Sequence, residues 1–217
     1  MIRIKHAHTP ELRDEVYALR YRAYLSEGAI PPNAAQRFED VYDSQTNHIL
    51  WALTEHEKVI GSIRTTWFDP EQPHLGMPEL HGYREDVAAQ VPSGARLFSG
   101  NRFVTDPART DRDALFAMLL LRHHVMAAAH GRCEWALAAV RGNHVPFYRR
   151  VLRLRQISEA RLYPGLTSQM YLTACRFSEN IGDVYATTPQ LRPRGYEHVL
   201  LDDVHRDIWE IGLPVEV

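Results

Sequence analysis

Charged side chains that could bind an anion or move a proton are concentrated in two stretches of the chain. The first is the run Asp-Val-Tyr-Asp, which carries Asp40 and Asp43. Carboxylates in such a run could bind an ammonium group or accept a proton, although loop acids are usually just solvated. The second stretch begins at Gly100 and leads through Arg109 into a long apolar segment that starts near Asp113. A strand that feeds a helix in this way makes an anion site, because the free N–H groups of the helix point at one place.

This anion site requires a strand and a helix on either side of a turn at Pro107. Residues 96–104 are rich in Phe and Val and predict a strand, in which Gly100 indicates a bulge or a close approach to the backbone. After the turn, Thr110 can cap a helix, with Asp113 in the reciprocal capping position. Apolar residues then recur at helical spacing as far as Gly131, which ends the helix.

Three arginines come from three separate predicted elements, namely Arg20, Arg64 and Arg102. Buried arginines are rare unless they are paired, so we expect these three to pair with Asp40 and Asp43 and to brace the loop. The alternative is that one of them binds a substrate carboxylate. Arg20 also belongs to a helical stripe of alternating arginine and tyrosine that ends at Tyr24. Such a stripe is typical of a solvated face and could otherwise line a cleft.

The remaining pattern predicts one α/β (α+β) domain over residues 1–217. Strands are predicted at 2–4, 49–54, 59–68, 96–104, 134–140, 152–157 and 168–177, with a long loop at 26–47. Helices are predicted to begin at Thr9, Glu79, Thr110 and Asn143, and a terminal helix is predicted at 202–211.

Composition excludes several classes of protein. The formal net charge is -2, which gives no general attraction to nucleic acid or anionic lipid, and no stretch is apolar enough to span a membrane. Cys133 and Cys175 lie in apolar runs and predict buried, reduced thiols in a cytoplasmic protein. The twelve histidines lack the spacing of metal ligands, so we expect no metal site.

The strand–turn–helix unit resembles the central motif of the GNAT acyltransferases, which wraps the pyrophosphate of coenzyme A. Val104, Arg109 and Ala114 fall at the offsets of that motif. Two positions depart from it, because the proline is displaced to Pro107 and Arg112 replaces the first glycine. The resemblance implies a single domain with a mixed, mostly antiparallel twisted sheet, flanked by helices and splayed at its central strands.

One branch of that superfamily fits better still, namely the autoinducer (acyl-homoserine-lactone) synthases and the long-chain N-acyl amino acid synthases. The shared motifs stand here at residues 19–24, 40–43, 61–64 and 101–103. The autoinducer synthases also carry a tryptophan after the first helix, which is absent here, and a glutamate three positions before the central arginine, which is Ser99 here. These departures favour the N-acyl amino acid synthases.

The resemblance implies transfer of an acyl group from a phosphopantetheine thioester, on acyl carrier protein or coenzyme A, to the amine of an amino acid or other small molecule. Tyr148 is then the expected proton donor to the departing thiolate, and Asp40, Asp43 and Ser99 are candidates to hold a water or act as base. Arg102 completes the expected catalytic set. Residues implied for thioester binding are Phe103, Val104, Arg109, Thr110, Asp111, Arg112, Asp113 and Ala114. Residues implied for substrate binding are Arg20, Tyr24, Arg64, Gly100 and Asn101.

Three functions remain open from the sequence. The first is an N-acyltransferase that uses a long acyl chain on an acidic carrier protein, which would bind the basic cluster of Arg149, Arg150, Arg153 and Arg155. The second is an ordinary acetyl-CoA-dependent N-acetyltransferase, and the third is a GNAT-like binding module without catalytic activity. The altered phosphate loop favours the first, because bulk and acidic neighbours at Arg112 weaken a coenzyme A site.

Overall fold

A computed structural model describes residues 2–109 and 113–193. Its centre is an eight-stranded sheet with the order β1-β2-β3-β4-β5-β8-β6, in which β7 also pairs with β8. The strands are β1 (Ile2–His6), β2 (His48–Glu55), β3 (Lys58–Phe68), β4 (Leu97–Thr105), β5 (Trp135–Val140), β6 (Arg155–Gln156), β7 (Arg161–Leu162) and β8 (Gln169–Arg176). All neighbouring pairs are antiparallel except β4 and β5, which are parallel.

Six α-helices cover the two faces of the sheet. They are α1 (Pro10–Ser26), α2 (Pro78–Gly82), α3 (Arg84–Gln90), α4 (Asp113–His130), α5 (Val145–Leu152) and α6 (Phe177–Thr187). Short 3-10 turns lie at Val41–Ser44, Gly142–His144 and Pro189–Leu191. Thr9 caps α1 by accepting a hydrogen bond from the N–H of Leu12, as its sequence predicts.

Side chains along β2 alternate between the two faces of the sheet, and their contacts show which helix covers each face. Ile49, Trp51 and Leu53 pack in one cluster with α4, whereas Leu50 and Ala52 pack in a second cluster with α1. This period of two is the pattern of a strand that is buried on both faces. A third cluster places α2 and α3 over the other end of the sheet.

The sheet opens between β4 and β5. The two strands pair only from Leu97 to Ser99, opposite Trp135 to Leu137, and then diverge. Beyond Ser99, the edge of β4 that faces β5 therefore has no strand partner. On its other edge β4 bulges against β3, and Arg102 takes a left-handed backbone with φ of 54°.

Most of the predicted elements are confirmed, and so is the fold class. The predicted helix over 79–91 is wrong in one respect, because it breaks after Gly82, a poor helix former, where the buried Tyr83 turns to donate a hydrogen bond to the carbonyl of Met170. The strand predicted at 152–157 shrinks to β6, since α5 extends to Leu152 and Arg153 is left-handed. Helix α6 was not predicted.

The remaining predictions concern the two cysteines, the terminal helix, the number of domains and membrane spans. Cys133 and Cys175 are buried and free, as expected. The terminal helix at 202–211 lies outside the described residues, and the single domain over 1–217 stays a prediction. No helix within the described ranges combines the length and hydropathy that crossing a bilayer requires.

Candidate active site

A cleft of about 620 Å³ lies where β4 and β5 diverge. Its floor is the free edge of β4 from Gly100 to Thr105. One wall comes from α1 with Ala23 and Tyr24, and the other comes from the end of β5 and the start of α5 with Phe147 and Tyr148. A volume of this size is typical of small-molecule sites.

The end of the cleft next to α4 is where the sequence predicts an anion. Arg109 and Ala114 line it, together with the turn at Asp106 and Pro107. Arg109 forms an ion pair with Glu55, while its Nη1 is buried and has no partner among the described residues. Thr110, Asp111 and Arg112 lie outside the described residues, and Asp113 is the first residue of α4.

A second, mostly apolar cavity of about 20 Å³ lies behind the floor of the cleft. Gly100 and Tyr148 line both spaces. His124 lies directly behind Gly100, and its Nδ1 is 2.8 Å from the hydroxyl oxygen of Thr65. A Cβ on residue 100 would lie 2.8 Å from Nε2 of His124, so glycine is required there for this packing.

A buried ionic cluster braces the loop that carries the two aspartates. Arg20 donates from Nη1 to both carboxylate oxygens of Asp43, at 3.0 and 2.9 Å. Arg64 Nη1 lies 2.7 Å from Oδ1 of Asp40 and 2.8 Å from Oδ1 of Asp43, so one guanidinium bridges both carboxylates. The pairing predicted from the sequence is present.

Arg102 joins the same cluster from β4. Its Nε donates to Oδ2 of Asp40 at 2.7 Å, and its Nη2 donates to the carbonyl of Pro164 at 3.1 Å. The left-handed backbone at the bulge thus directs a long side chain toward the loop rather than along the strand. The rings of Phe38 and Tyr163 lie 4.9 and 5.4 Å from its guanidinium carbon.

The charges in this cluster make its carboxylates poor proton acceptors. Burial acts to raise the pKa of Asp40, but the hydrogen bonds and charges of Arg64 and Arg102 outweigh it and the pKa is lowered. The pKa of Asp43 is lowered as well, because Arg20 and Arg64 outweigh its burial. A general base works best when its pKa lies near the working pH, so the lowered pKa of both aspartates fits a bracing role better than the predicted role of base.

Glu79, on α2, is a second buried carboxylate that sequence reasoning missed. It is fully buried, and it accepts hydrogen bonds from the Ser99 hydroxyl at 2.7 Å and from the Tyr163 hydroxyl at 2.8 Å. Burial raises the pKa of Glu79, in spite of these two hydrogen bonds. The sequence holds no strong signal for this role, since Glu79 follows Pro78 as an ordinary acid in a first helical turn.

Hydrogen bonds link Glu79 to the ionic cluster. Ser99 accepts a hydrogen bond from the side-chain amide of Asn101 at 2.9 Å. The amide oxygen of Asn101 accepts in turn from Nε of Arg64 at 2.6 Å. The Ser99 hydroxyl therefore already has two hydrogen-bond partners behind the floor of the cleft. It is not free to act as the predicted base or to hold a water.

Tyr148 is the predicted proton donor, and it lies between the cleft and the apolar cavity. Burial and the neighbouring Tyr24 raise the pKa of Tyr148, so it keeps its proton through the neutral range. At the mouth of the cleft, Arg141 forms an ion pair with Glu27 at 2.8 Å, next to His144. Burial and the charge of Arg141 lower the pKa of His144, which sequence reasoning had set aside with the other histidines.

The predicted site residues thus fall into two groups. Those that line the cleft are Tyr24, Gly100, Asn101, Arg102, Phe103, Val104, Arg109, Ala114 and Tyr148. The described ones that do not line it are Arg20, Arg64, Asp40, Asp43 and Ser99, and of these Asp40 is only partly buried. The interpretation of the α1 arginine–tyrosine stripe as a solvated face is wrong, because Tyr17, Arg20 and Tyr24 are buried. Arg20 and Arg64 are bound to aspartates and do not reach the cleft as the predicted substrate ligands.

The splayed mixed sheet, the strand–turn–helix at the anion end and the cleft between them define a GNAT-like acyltransferase. A family model of the N-acyl amino acid synthase FeeM matches residues 15–176. The chain belongs to this family, and it is an N-acyltransferase of the kind that makes N-acyl amino acids or acyl-homoserine lactones.

Solved structures agree with this fold. The structure of FeeM, an N-acyl amino acid synthase from uncultured soil microbes, has a TM-score of 0.68 at 17% identity and covers 82% of this chain and 92% of its own. TofI in a ternary complex with an inhibitor and MTA has a TM-score of 0.61 at 14% identity, covering 88% and 100%. The CoA-dependent acyl-homoserine lactone synthase BjaI, with SAM and isopentyl-CoA, has a TM-score of 0.58 at 14% identity, covering 86% and 88%. A comparison with curated protein sequences gives no match.

Proposed function

We propose that this protein transfers a long acyl chain from the phosphopantetheine thioester of an acyl carrier protein to the amine of an amino acid. The observation that carries the proposal is the cleft of about 620 Å³ at the free edge of β4, whose lining residues Gly100 and Tyr148 also line the apolar cavity. A thioester that lies along this edge has its polar arm in the cleft and directs its acyl chain toward the apolar side. Membership of the N-acyl amino acid synthase family supports the acceptor.

The reaction needs a donor of hydrogen bonds to the carbonyl oxygen of the thioester. Beyond Ser99, β4 has no partner on the side of β5, so backbone N–H groups of the segment 100–103 are available to the oxyanion that develops during attack. Tyr148 lies opposite this segment and donates its proton to the departing thiolate. In this proposal Arg102 holds the bulge in place through Asp40.

The anion end of the cleft fits the phosphate of the thioester arm. Arg109 has one buried nitrogen without a partner there, which suits a phosphate oxygen. In the proposal Thr110 to Asp113, with Phe103 and Val104, complete this end. A carrier-protein phosphopantetheine brings one phosphodiester, whereas coenzyme A brings a pyrophosphate and a ribose phosphate, so the departure at Arg112 favours the carrier protein.

A basic cluster on and after α5 supports a carrier protein as the partner. Arg149, Arg150 and Arg155 are exposed, and Arg153 is partly exposed. Within residues 2–109 and 113–193, none of these four guanidiniums forms an ion pair with a carboxylate. An acidic carrier protein that binds this cluster would present its phosphopantetheine near Tyr148.

The donor is tested by comparing kcat/KM for one acyl chain on carrier protein and on coenzyme A. We expect the carrier-protein thioester to be used at least about tenfold better at low salt, with a preference that shrinks as salt rises. Arg150→Gln should reduce this preference, while Arg84→Gln, which removes an exposed arginine on α3, should leave it unchanged. Equal or better turnover of acetyl-CoA at physiological salt would contradict the carrier-protein proposal and restore the acetyltransferase alternative.

The acceptor is tested by mass spectrometry of products formed from one acyl thioester and a panel of free amino acids, with S-adenosylmethionine as a parallel acceptor. We expect N-acyl amino acids. A product formed only with S-adenosylmethionine would contradict the proposed acceptor. Release of thiol without any N-acyl product would contradict N-acyl transfer. The two alternatives, a simple acetyltransferase and a binding module without activity, are not favoured by the family.

A further inference from the structure

Glu79 is an unusual carboxylate because it is fully buried without a cation. Its two oxygens accept hydrogen bonds from two side chains, the hydroxyl groups of Ser99 and Tyr163, and from the backbone N–H of Glu79 itself. Within residues 2–109 and 113–193 it forms no ion pair and has no further side-chain partner. A buried carboxylate normally pairs with a cation, as Asp40 and Asp43 do nearby, so the arrangement around Glu79 calls for a different role.

Tyr163 connects this carboxylate to the cleft. Its side chain lines the cleft, while its hydroxyl donates to Oε1 of Glu79 at 2.8 Å. The ring lies 5.4 Å from the guanidinium carbon of Arg102, which fixes it against the bulge of β4. A single hydroxyl therefore lies between the cleft and a carboxylate that has no ion-pair partner among the described residues.

We propose that Tyr163 and Glu79 form the path by which the attacking amine loses its proton. The inference rests on the proposed acyl transfer and names the proton acceptor for it. Glu79 acts through Tyr163 and does not touch the substrate. Asp40 and Asp43 are excluded from this task by their ion pairs with Arg20, Arg64 and Arg102.

The step balances without any further reactant. The neutral amine attacks the thioester carbon, the new C–N bond forms, and the nitrogen then carries one proton too many. That proton moves to the Tyr163 oxygen while the Tyr163 proton moves to Glu79. The C–S bond breaks and the sulfur takes a proton from Tyr148, so the products are an amide and a free thiol. Proton exchange with solvent then returns Glu79 and Tyr148 to their starting states.

The groups around Glu79 decide how the path responds to pH. Burial raises the pKa of Glu79, while the hydroxyls of Ser99 and Tyr163 and the charge of Arg64 lower it, and the net pKa is raised. Tyr42 and Tyr83 also face its charge, and both keep their protons because burial and Glu79 raise their pKa. Since Glu79 must be ionised to accept a proton, kcat should fall as the pH falls through its raised pKa.

The test compares two variants in the path with a matched control outside it. Glu79→Gln and Tyr163→Phe should each lower kcat for N-acyl transfer by about 100-fold. The double variant should have a kcat within about twofold of that of either single variant, because both changes interrupt one path. Tyr83→Phe removes another buried tyrosine hydroxyl, the one that donates to the carbonyl of Met170, and should change kcat by less than about twofold.

A pH profile and an exchange of side chains separate proton transfer from a structural role. The acidic limb of the wild-type profile should be missing from Glu79→Gln. The exchange Glu79→Ser with Ser99→Glu returns a carboxylate to the same place from β4, where the two side chains are 2.7 Å apart, and should recover at least about tenfold of the lost kcat. This exchange also decides the case if Glu79→Gln fails to fold.

The outcomes that overturn the inference are distinct from failure of the proposed function. A wild-type protein that forms N-acyl product while both single variants keep kcat within about twofold overturns the proton path alone. Equal losses in Tyr83→Phe and Tyr163→Phe also overturn it, because they indicate general damage to packing. A wild-type protein that forms no N-acyl product overturns the proposed function and the path with it.

Discussion

One wall of the cleft comes from α1, and behind it Asp43, which is buried, and Asp40, which is partly buried, pair with three arginines. The other wall comes from β5 and α5, and together with β4, α4 and α6 these elements surround a cavity lined almost entirely by apolar side chains. The first wall is fixed by directed bonds between charges. The second is held by packing, which depends on volume and not on direction.

This difference matches two tasks that an acyltransferase must combine. The bulge of β4 must hold its backbone N–H groups in one place, and a network of ion pairs has few alternative arrangements. The acyl side has to receive a flexible chain, and apolar side chains can shift without leaving a charge unpaired. The four predictions below test the contrast, from the largest expected change in stability to the smallest.

Arg64→Ala should cause the largest loss, because it removes the shared partner of Asp40 and Asp43 and leaves buried carboxylates without that charge. We expect the free energy of unfolding to fall by about 3–5 kcal/mol in urea titrations. The control is Arg176→Ala, which breaks an exposed ion pair with Glu179 and should cost less than about 1 kcal/mol. Similar losses in both variants would contradict the contrast between the two walls.

Acid should weaken the charged wall next. The pKa values of Asp40 and Asp43 are lowered in the folded protein, so their contribution is complete above the unfolded value of about 3.9 and is lost as the pH falls through the folded values. Between pH 5 and pH 3 the free energy of unfolding should fall by about 2–3 kcal/mol, as the contribution of the two carboxylates is lost. Asp43→Asn should show a shallower slope over this range, and an unchanged slope would count against the prediction.

Gly100→Ala changes a residue that lines both the cleft and the apolar cavity. The new Cβ would lie 2.8 Å from Nε2 of His124, whose Nδ1 is held by Thr65, so the ring must shift. We expect a loss of roughly 2 kcal/mol and a larger fall in kcat/KM for long acyl donors than for acetyl donors. Gly182→Ala in α6 is the control, since its Cβ meets nothing within 4 Å and should be neutral or stabilising. Equal rates with both donors would argue against an acyl path past Gly100.

Tyr148→Phe should leave stability almost unchanged and affect the rate alone. The Tyr148 hydroxyl makes no hydrogen bond to another described residue, so its removal should shift the unfolding free energy by less than about 0.5 kcal/mol. If the hydroxyl protonates the thiolate, kcat should fall by about 100-fold with acyl thioesters of ordinary thiols. Thioesters of acidic thiols, which leave without a proton, should recover most of the rate, and the same loss with both would contradict this role.

The sequence revealed those features of the site that depend on local pattern. The strand at 96–104 and the long helix after Pro107 follow from residues that are close in the chain, and this strand forms the floor of the cleft. The pairing of Asp40 and Asp43 with arginines was also predictable, because neither a buried aspartate nor a buried arginine is stable alone. The interpretation of the Arg20–Tyr24 stripe as a solvated face was wrong, because helical periodicity shows which residues share a face but not whether that face is covered.

Glu79 could not be predicted for a physical reason. Its importance comes from Ser99 and Tyr163, which are 20 and 84 residues away, and no periodicity connects them. Helix α6 was missed because it begins at Phe177, directly after β8, without a side-chain cap to announce it. Both features depend on tertiary packing, which overrides local preference.

The ionic cluster also has a consequence for how the chain folds. The bond from Arg102 to Asp40 joins residues that are 62 positions apart, whereas β2 and β3 pair across a tight turn. Contacts of such high sequence separation are costly in loop-closure entropy and tend to form late. We therefore expect the loop around Asp40 to gain protection from hydrogen exchange later than the hairpin of β2 and β3.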